Sequence, residues 1–310
     1  MSGLKSLTPK TIPQLKQGRY IVGVSGGVDS IVLLDLLAQQ PGVKLIIAHF
    51  DHGIREDSAQ DALFVQKVAE KYDLSFVAER GDLGRHASEA EARRARYAFF
   101  NKLIIQFEAD ALITAHHQDD LIETAIINML RGTGWRGISS LRNAGALNRP
   151  LLDISKKEII AYANSHELTW HEDSTNVDQT YLRNYIRHNL VPLAQDRNAA
   201  FRKHLLAMID RQNSMRNEIE QTTIVLLDTF AVMGDDEISL PRTWLIMLPD
   251  GVLKEVLRAA VQRLTGKGTE KQAMIRIVHF VKSAGLYKML QVHKGLVFVA
   301  QRGRIVVRKR

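Results

Sequence analysis

No cysteine occurs among the 310 residues. That absence excludes disulfides, thiolate-held metals, iron–sulfur clusters and cysteine nucleophiles together. No apolar run approaches the roughly 18 residues a membrane span requires, and the first residues, MSGLKSLTPKTIPQLKQG, lack the apolar core of a secretory signal. The expected setting is cytoplasmic, with no membrane partner. Fixed-period repeats and low-complexity tracts are also missing. Apolar (45%) and charged (25%) contents are those of an ordinary globular protein.

Excess charge is missing from most of the chain too. Residues 1–195 and 196–265 each sum to −1, whereas residues 266–310 hold eleven Lys and Arg against one acidic residue, a local +10. Positive charge this concentrated is the footprint of a polyanion partner such as RNA.

What is present reads as alternating strands and helices. Apolar runs at 20–24, 44–49, 74–78 and 111–115 are separated by helical spacing over 30–39, 57–72, 87–108 and 118–131. This alternation predicts an α/β, Rossmann-like parallel sheet with helices on both faces, its ligands at the carboxyl ends of the strands. Ser155 or Asp153 caps a following helix, with Glu158 at the capping-box position; a helix over 180–191 stops near Pro192. A boundary near 195 separates residues 1–195 from a smaller domain, 196–310, mostly helical and ending in strands over 286–308.

The stretch YIVGVSGGVDSIVLLDLL (20–37) carries the chemistry. A glycine-rich turn from strand into helix presents backbone N–H groups to an anion, and Ser25 and Ser30 add hydroxyl donors. Asp29 repels a phosphate unless it helps to hold Mg²⁺ against one. Within this stretch there is neither GxxxxGK[ST] nor GxGxxG. Downstream, His116, Asp120 and Glu123 follow at intervals of four and three, as on one helix face, a spacing that also suits a metal.

SGGVDS (25–30) resembles the PP-loop of the ATP pyrophosphatases. Four further segments resemble the tRNA(Ile)-lysidine synthase family: AHFDHGIREDS (48–58), EAEARRARY (89–97), AHHQDDLIETAIINMLRGTG (115–134), and RPLLDISKKEI (149–159) with HEDSTNVDQTYLRNYIRHNLVP (171–192). The resemblance implies ATP bound by Ser25, Gly26, Gly27, Val28, Asp29 and Ser30, with Ala48, His49 and Phe50 at the adenine and Gly132 and Gly134 approaching the nucleotide. It implies Mg²⁺ on Asp29 and Asp120, and catalysis by Asp29, Asp120, His116 and Glu123. The last three are alternatives for the base that frees the attacking amine. RNA is expected at Arg55, Arg93, Arg96, Arg183 and Arg187, and in the basic tail at Lys294, Arg302, Arg304 and Arg308. Little acid lies near Arg183 and Arg187 in the sequence, which favours phosphates or the target base as their partners. The implied reaction joins free L-lysine to the wobble cytidine of tRNA(Ile) with anticodon CAU; a homodimer stays open. Larger family members carry an extra C-terminal RNA-binding domain, for which this chain is too short.

Overall fold

A computed structural model describes residues 7–53, 58–81, 89–143, 145–171, 182–266, 268–293 and 295–309. Arg55, Asp173, Asn176 and Lys294 of the sequence analysis lie outside the described residues. The chain divides into two compact units, Met1–Asp210 and Arg211–Arg310, so the division falls beyond residue 195.

In the first unit, β1 (Gly18–Gly23), β2 (Val43–Asp51), β3 (Ser75–Arg80), β4 (Ala111–Thr114) and β5 (Leu147–Asn148) form one parallel sheet in the order β3-β2-β1-β4-β5. Between them run α1 (Val28–Ala38), α2 (Ser58–Lys71), α3 (Glu89–Gln106), α4 (Gln118–Leu130) and the short α5 (Trp135–Ile138). The period of two in a strand sends alternate side chains to opposite faces. Tyr20 and Val22 therefore pack with α1, α2 and the later α6 (Lys156–Ser165), while Ile21 packs with Phe99, Phe100 and Leu103 of α3. Both faces are covered, which is why the central strands read as continuous apolar runs.

Helix α1 is buried on nearly every side, from Val28 through Leu37. It even buries Asp35, whose carboxylate accepts hydrogen bonds from Tyr72 (2.6 Å), Tyr162 (2.5 Å) and Gln39 (2.9 Å). Three donors offset the desolvation that an unpaired carboxylate would suffer there. Burial first, and then the bond to Asp35, push both tyrosine hydroxyls above their ordinary pKa.

Beyond α6, whose N-terminus closes in the expected Ser155–Glu158 capping box, the helix over 180–191 differs from expectation. Its described part, α7 (Leu182–Tyr185), passes into a π-helical turn (Ile186–Leu190) and on through Pro192 into α8 (Val191–Arg197). The run is continuous, with Leu190 and Val191 both right-handed helical, so Pro192 lies inside it, and the wider π turn just before it accommodates the ring.

The second unit contains most of α9 (Phe201–Phe230), then β6 (Val232–Met233), β7 (Glu237–Pro241), α10 (Arg242–Met247), α11 (Asp250–Thr265), α12 (Lys271–Ser283), β8 (Met289–His293), β9 (Leu296–Gln301) and β10 (Arg304–Lys309). Its antiparallel sheet, β6-β7-β10-β9-β8, lays Leu296, Phe298, Ala300, Ile305 and Val307 into one core with α11 and α12. The turn into β10 is a glycine turn: Gly303 sits at φ +71°, a region that favours glycine. Strands β6 and β7 were not anticipated, because a two-residue strand and a five-residue strand after GDDE leave little pattern to read. Among the described residues, no helix is long and apolar enough to cross a membrane.

Candidate active site

The carboxyl ends of β1, β2 and β4 bring the motifs to one edge. After β1 the chain turns at Gly26, whose φ of +94° a side chain would strain. The turn closes on Ser30: its Oγ accepts from the N–H groups of Ser25 and Gly26, both at 3.2 Å, and donates to the Gly27 carbonyl at 2.9 Å. From outside, His171 N–H donates to the Gly26 carbonyl at 3.0 Å. Helix α1 starts here with Gly27 as its N-cap and without a capping side chain; the Ser30 N–H bonds the Gly27 carbonyl, which leaves those of Val28 and Asp29 for an external anion.

Asp29, in that first turn, is engaged by a residue from another element. Lys156, the first residue of α6, donates to both its oxygens, at 2.7 and 2.8 Å. The two residues lie 127 positions apart in sequence, so no local pattern could have paired them. Both are about a third exposed (37% and 28%), and such an ion pair contributes little to stability. Its consequence is positional: a cation already rests where the phosphates' counter-ion was expected.

Helix α4 begins at Gln118, one residue after its N-cap His117. His116 therefore precedes the helix and does not share a helical face with Asp120 and Glu123. His117 takes the place expected of it. Its Nδ1 accepts from Asp119 N–H (3.2 Å), its own N–H donates to Asp120 (3.0 Å), and its Nε2 lies 3.6 Å from both Asp29 and Asp120. Asp119 is tied to Arg202 (2.7 Å) and to the N–H of Lys156 (2.9 Å). These contacts outweigh burial and hold Asp119 below the ordinary carboxylate range. Asp120 is lowered as well: burial acts against its charge but is outweighed by His117, His116 and Arg183. His116 itself, bonded through Nδ1 to Thr114 (2.9 Å), is pushed down to about 3. Burial is the main cause, aided by Arg149, Arg93 and Arg96 and opposed by Asp120.

Glu123 is 2% exposed and receives Arg187 on both oxygens, at 2.6 and 3.0 Å. Arg183 stands 3.4 Å from Asp120 and 3.8 Å from Glu123. The expectation that acid is lacking near these arginines is thus overturned. The carboxylates come from α4, more than 60 positions away in sequence. Burial raises the Glu123 pKa despite Arg187, while the same pair raises that of Arg187. The contact is attractive, yet it does not fully repay the desolvation of Glu123.

At the end of β2, Ala48 and His49 are buried, and His49 Nδ1 bonds the Val24 carbonyl at 2.9 Å, tying the strand to the glycine turn. Phe50 borders a hollow of about 370 Å³ with Glu79, Gly81, Ala95, Ala98 and Phe99. Gly132 sits at φ +65° just past α4, whereas Gly134 is the N-cap of α5 with open space where a Cβ would stand. The first glycine is required by its backbone; the second is not. Arg93 lies over the Tyr97 ring (4.7 Å). In the second unit Arg302 and Arg308 are exposed, and Arg304 donates to the Ser239 hydroxyl (2.5 Å) and carbonyl (2.9 Å) across the sheet. Of the site, the sequence analysis missed His117, Asp119, Lys156 and Arg202. Only the capping geometry around residues 117–120 and 155–158 offered a local signal for the first three.

A glycine turn feeding α1 at a parallel-sheet edge, faced by carboxylates and cations from α4 and α6, defines a nucleotide-binding α/β domain without a Walker lysine. The family model described as a PP-loop domain matches residues 4–194. The chain belongs to this ATP-binding PP-loop family. It is 38% identical over 196 residues to a tRNA(Ile)-lysidine synthase of Legionella pneumophila (strain Lens), covering 60% of this chain and 45% of that one. It is 32% identical over 269 residues to one of Thermosipho africanus (strain TCF52B), covering 84% and 61%. The chain thus spans about half the length of the curated relatives it matches. Among solved structures, it resembles the U34-tRNA thiolase NcsA from Methanococcus maripaludis with its 4Fe-4S cluster, at a TM-score of 0.55 and 19% identity. That match covers 66% of this chain and 76% of the other. The likeness is one of fold, and a chain without cysteine has no thiolate for such a cluster.

Proposed function

We propose that the protein is an ATP-dependent carbon–nitrogen ligase that joins free L-lysine to C2 of the wobble cytidine of tRNA(Ile) with anticodon CAU. The product, lysidine, changes codon reading from AUG to AUA and the tRNA's identity from methionine to isoleucine. The observation that carries this reading is the glycine turn with Asp29 and Asp120 on either side of His117, in a chain whose relatives bear that enzyme's name. The base oxygen at C2 attacks the α-phosphate of ATP, pyrophosphate departs, and the lysine ε-amine then displaces AMP from C2. The N–H groups at the start of α1 stabilise charge on the phosphates without having to move. The cytosine leaves its stack to enter the site, at a cost of a few kcal/mol.

Asp29 and Asp120 flank one point, the His117 Nε2 3.6 Å from each. Two carboxylates with substrate phosphates and water are a normal Mg²⁺ environment, and the described residues hold no cluster of three or more His or acidic groups that would cage a cation alone. The residues fit the metal, which would supply charge neutralisation at the phosphates. Lys156 donates to both oxygens of Asp29 and so already offsets part of its charge. Among the candidate bases, His116 with a pKa near 3 and the lowered Asp120 are weak acceptors. Glu123 has the raised proton affinity, but it is 2% exposed with both oxygens held by Arg187, so none of the three is assigned the amine's proton.

Purified protein with ATP, Mg²⁺ and labelled lysine should label the CAU tRNA, but not the same tRNA with U at the wobble position. Label on neither, with AMP formed from another amine, would keep the PP-loop chemistry and discard lysidine. The exposed Arg302 and Arg308 belong to the proposed tRNA-binding face. Replacing both with Gln should weaken tRNA binding and reduce the slope of log K against log salt by about 2. An unchanged slope would place the grip elsewhere.

A further inference from the structure

Helices α1 and α6 are joined by polar contacts at two levels. At the first, Lys156 donates to both oxygens of Asp29, at 2.7 and 2.8 Å. At the second, the Tyr162 hydroxyl donates to Asp35 at 2.5 Å. In each pair the partners lie 127 positions apart, so the two helices run in the same direction and in one register. The second pair is buried, Asp35 being 8% and Tyr162 3% exposed. It stands about 9 Å of helical rise beyond Asp29 and touches none of the groups that the chemistry above uses. Burial, and then the bond to Asp35, raise the pKa of Tyr162, so its hydroxyl keeps its proton and remains a donor.

Apolar packing alone does not fix such a register. Ile159 and Ala163 of α6 share one core with α1, but burial of this kind is non-directional. A slide of one residue would carry Lys156 about 1.5 Å along the axis and turn it by about 100°, enough to break its bonds to Asp29. The start of α6 is held separately from α4. Asp119 accepts from the Lys156 N–H, and the Gln118 N–H donates to the Ile154 carbonyl, both at 2.9 Å. A helix held only at its start can still swing about that point. The Asp35 contact, more than a turn further on, removes that freedom, and fixing register is the best-attested use of a buried polar pair.

We infer that Tyr162, through Asp35, is a positioning residue for the nucleotide site: it fixes α6 on α1 so that Lys156 meets Asp29. Neither residue touches nucleotide or metal; both act through Lys156. The inference rests on the ATP site and not on the identity of the amine or the RNA.

The test titrates the full-length protein with ATP and Mg²⁺ by calorimetry, with neither tRNA nor lysine present. Tyr162→Phe leaves the Asp35 carboxylate two donors, Tyr72 and Gln39, and leaves the ring its stack on His166 (3.8 Å between centroids), so the fold stands. Its affinity for Mg²⁺ and ATP should shift roughly 3- to 10-fold, the worth of one hydrogen bond, in the direction that Lys156→Met shifts it. Added to Lys156→Met, it should shift nothing further. Tyr72→Phe removes a similar bond (2.6 Å) from the same carboxylate without touching α6, and should leave the affinity unchanged. Four outcomes each overturn the inference alone: no shift in Tyr162→Phe, an equal shift in both tyrosine variants, a shift that persists beside Lys156→Met, or wild-type affinity in Lys156→Met. A wild-type protein that binds no nucleotide overturns the ATP site with it. Affinities that move as expected, in a protein that transfers lysine to no tRNA, sustain the inference and overturn only the ligase reading.

Discussion

Arg187→Ala should destabilise the fold by about 1–3 kcal/mol, the range for leaving a buried group without its partner, since Glu123 is buried but Arg187 is a third exposed. The loss comes less from the contact than from what remains. Glu123, 2% exposed, would keep its charge in the interior, with only Arg183 at 3.8 Å to offset it. The pH dependence follows from the sign of the shift. Burial already raises the Glu123 pKa above its ordinary 4.5, and without Arg187 it rises further. Between 4.5 and that raised value the folded state holds a proton that the unfolded state has released, so stability falls as pH climbs through this window. The deficit of Arg187→Ala should therefore be smaller at pH 5 than at pH 8. Adding Glu123→Gln should recover most of it. Denaturant unfolding at the two pH values, on the single and double variants, is the measurement. An equal deficit at both, with no recovery in the double variant, would mean that Arg187 acts through packing and not through Glu123.

How much of this site could be read from the sequence depends on how local each feature is. The Ser25–Ser30 turn was legible because its glycines and flanking apolar runs lie within a few residues, although the Ser30 hydroxyl, expected to donate to an anion, instead closes the turn on the Gly27 carbonyl. The Ser155–Glu158 capping box was legible for the same reason. The parallel sheet followed from apolar runs buried on both faces. What escaped is pairing between distant elements. The acids facing Arg183 and Arg187 are invisible next to them in sequence, since α4 delivers them through the fold. Lys156 looks like any first-turn lysine until α6 packs against α1. A shift of one or two residues in where α4 begins exchanged His116 for His117, because the spacing of four and three was counted as helical before the helix had started. The second unit's β6 and β7, two and five residues long, are too short for an alternating pattern to stand out in the sequence.

Asp29→Asn should lower tRNA-dependent AMP formation by roughly 10²–10³-fold, the cost of losing one preorganised electrostatic contact to the reacting phosphates. The substitution keeps the shape of the side chain and its place in α1, and removes only the charge. Its effect on stability should be under about 1 kcal/mol, because the Asp29–Lys156 pair is partly exposed and solvent screens it. Large loss of activity with near-wild-type unfolding is thus the expected signature, the reverse of Arg187→Ala. Lys156→Met tells what the lysine does. As a mere counter-ion released when nucleotide and metal arrive, its removal would leave AMP formation nearly unchanged and tighten metal binding at Asp29. As a phosphate ligand in the loaded site, its removal would raise the KM for ATP. The double variant separates the two: if Lys156 acts only through Asp29, adding Lys156→Met to Asp29→Asn costs nothing further. Asp29→Asn with full activity would remove this carboxylate from the reaction and leave the glycine turn alone to bind the phosphates.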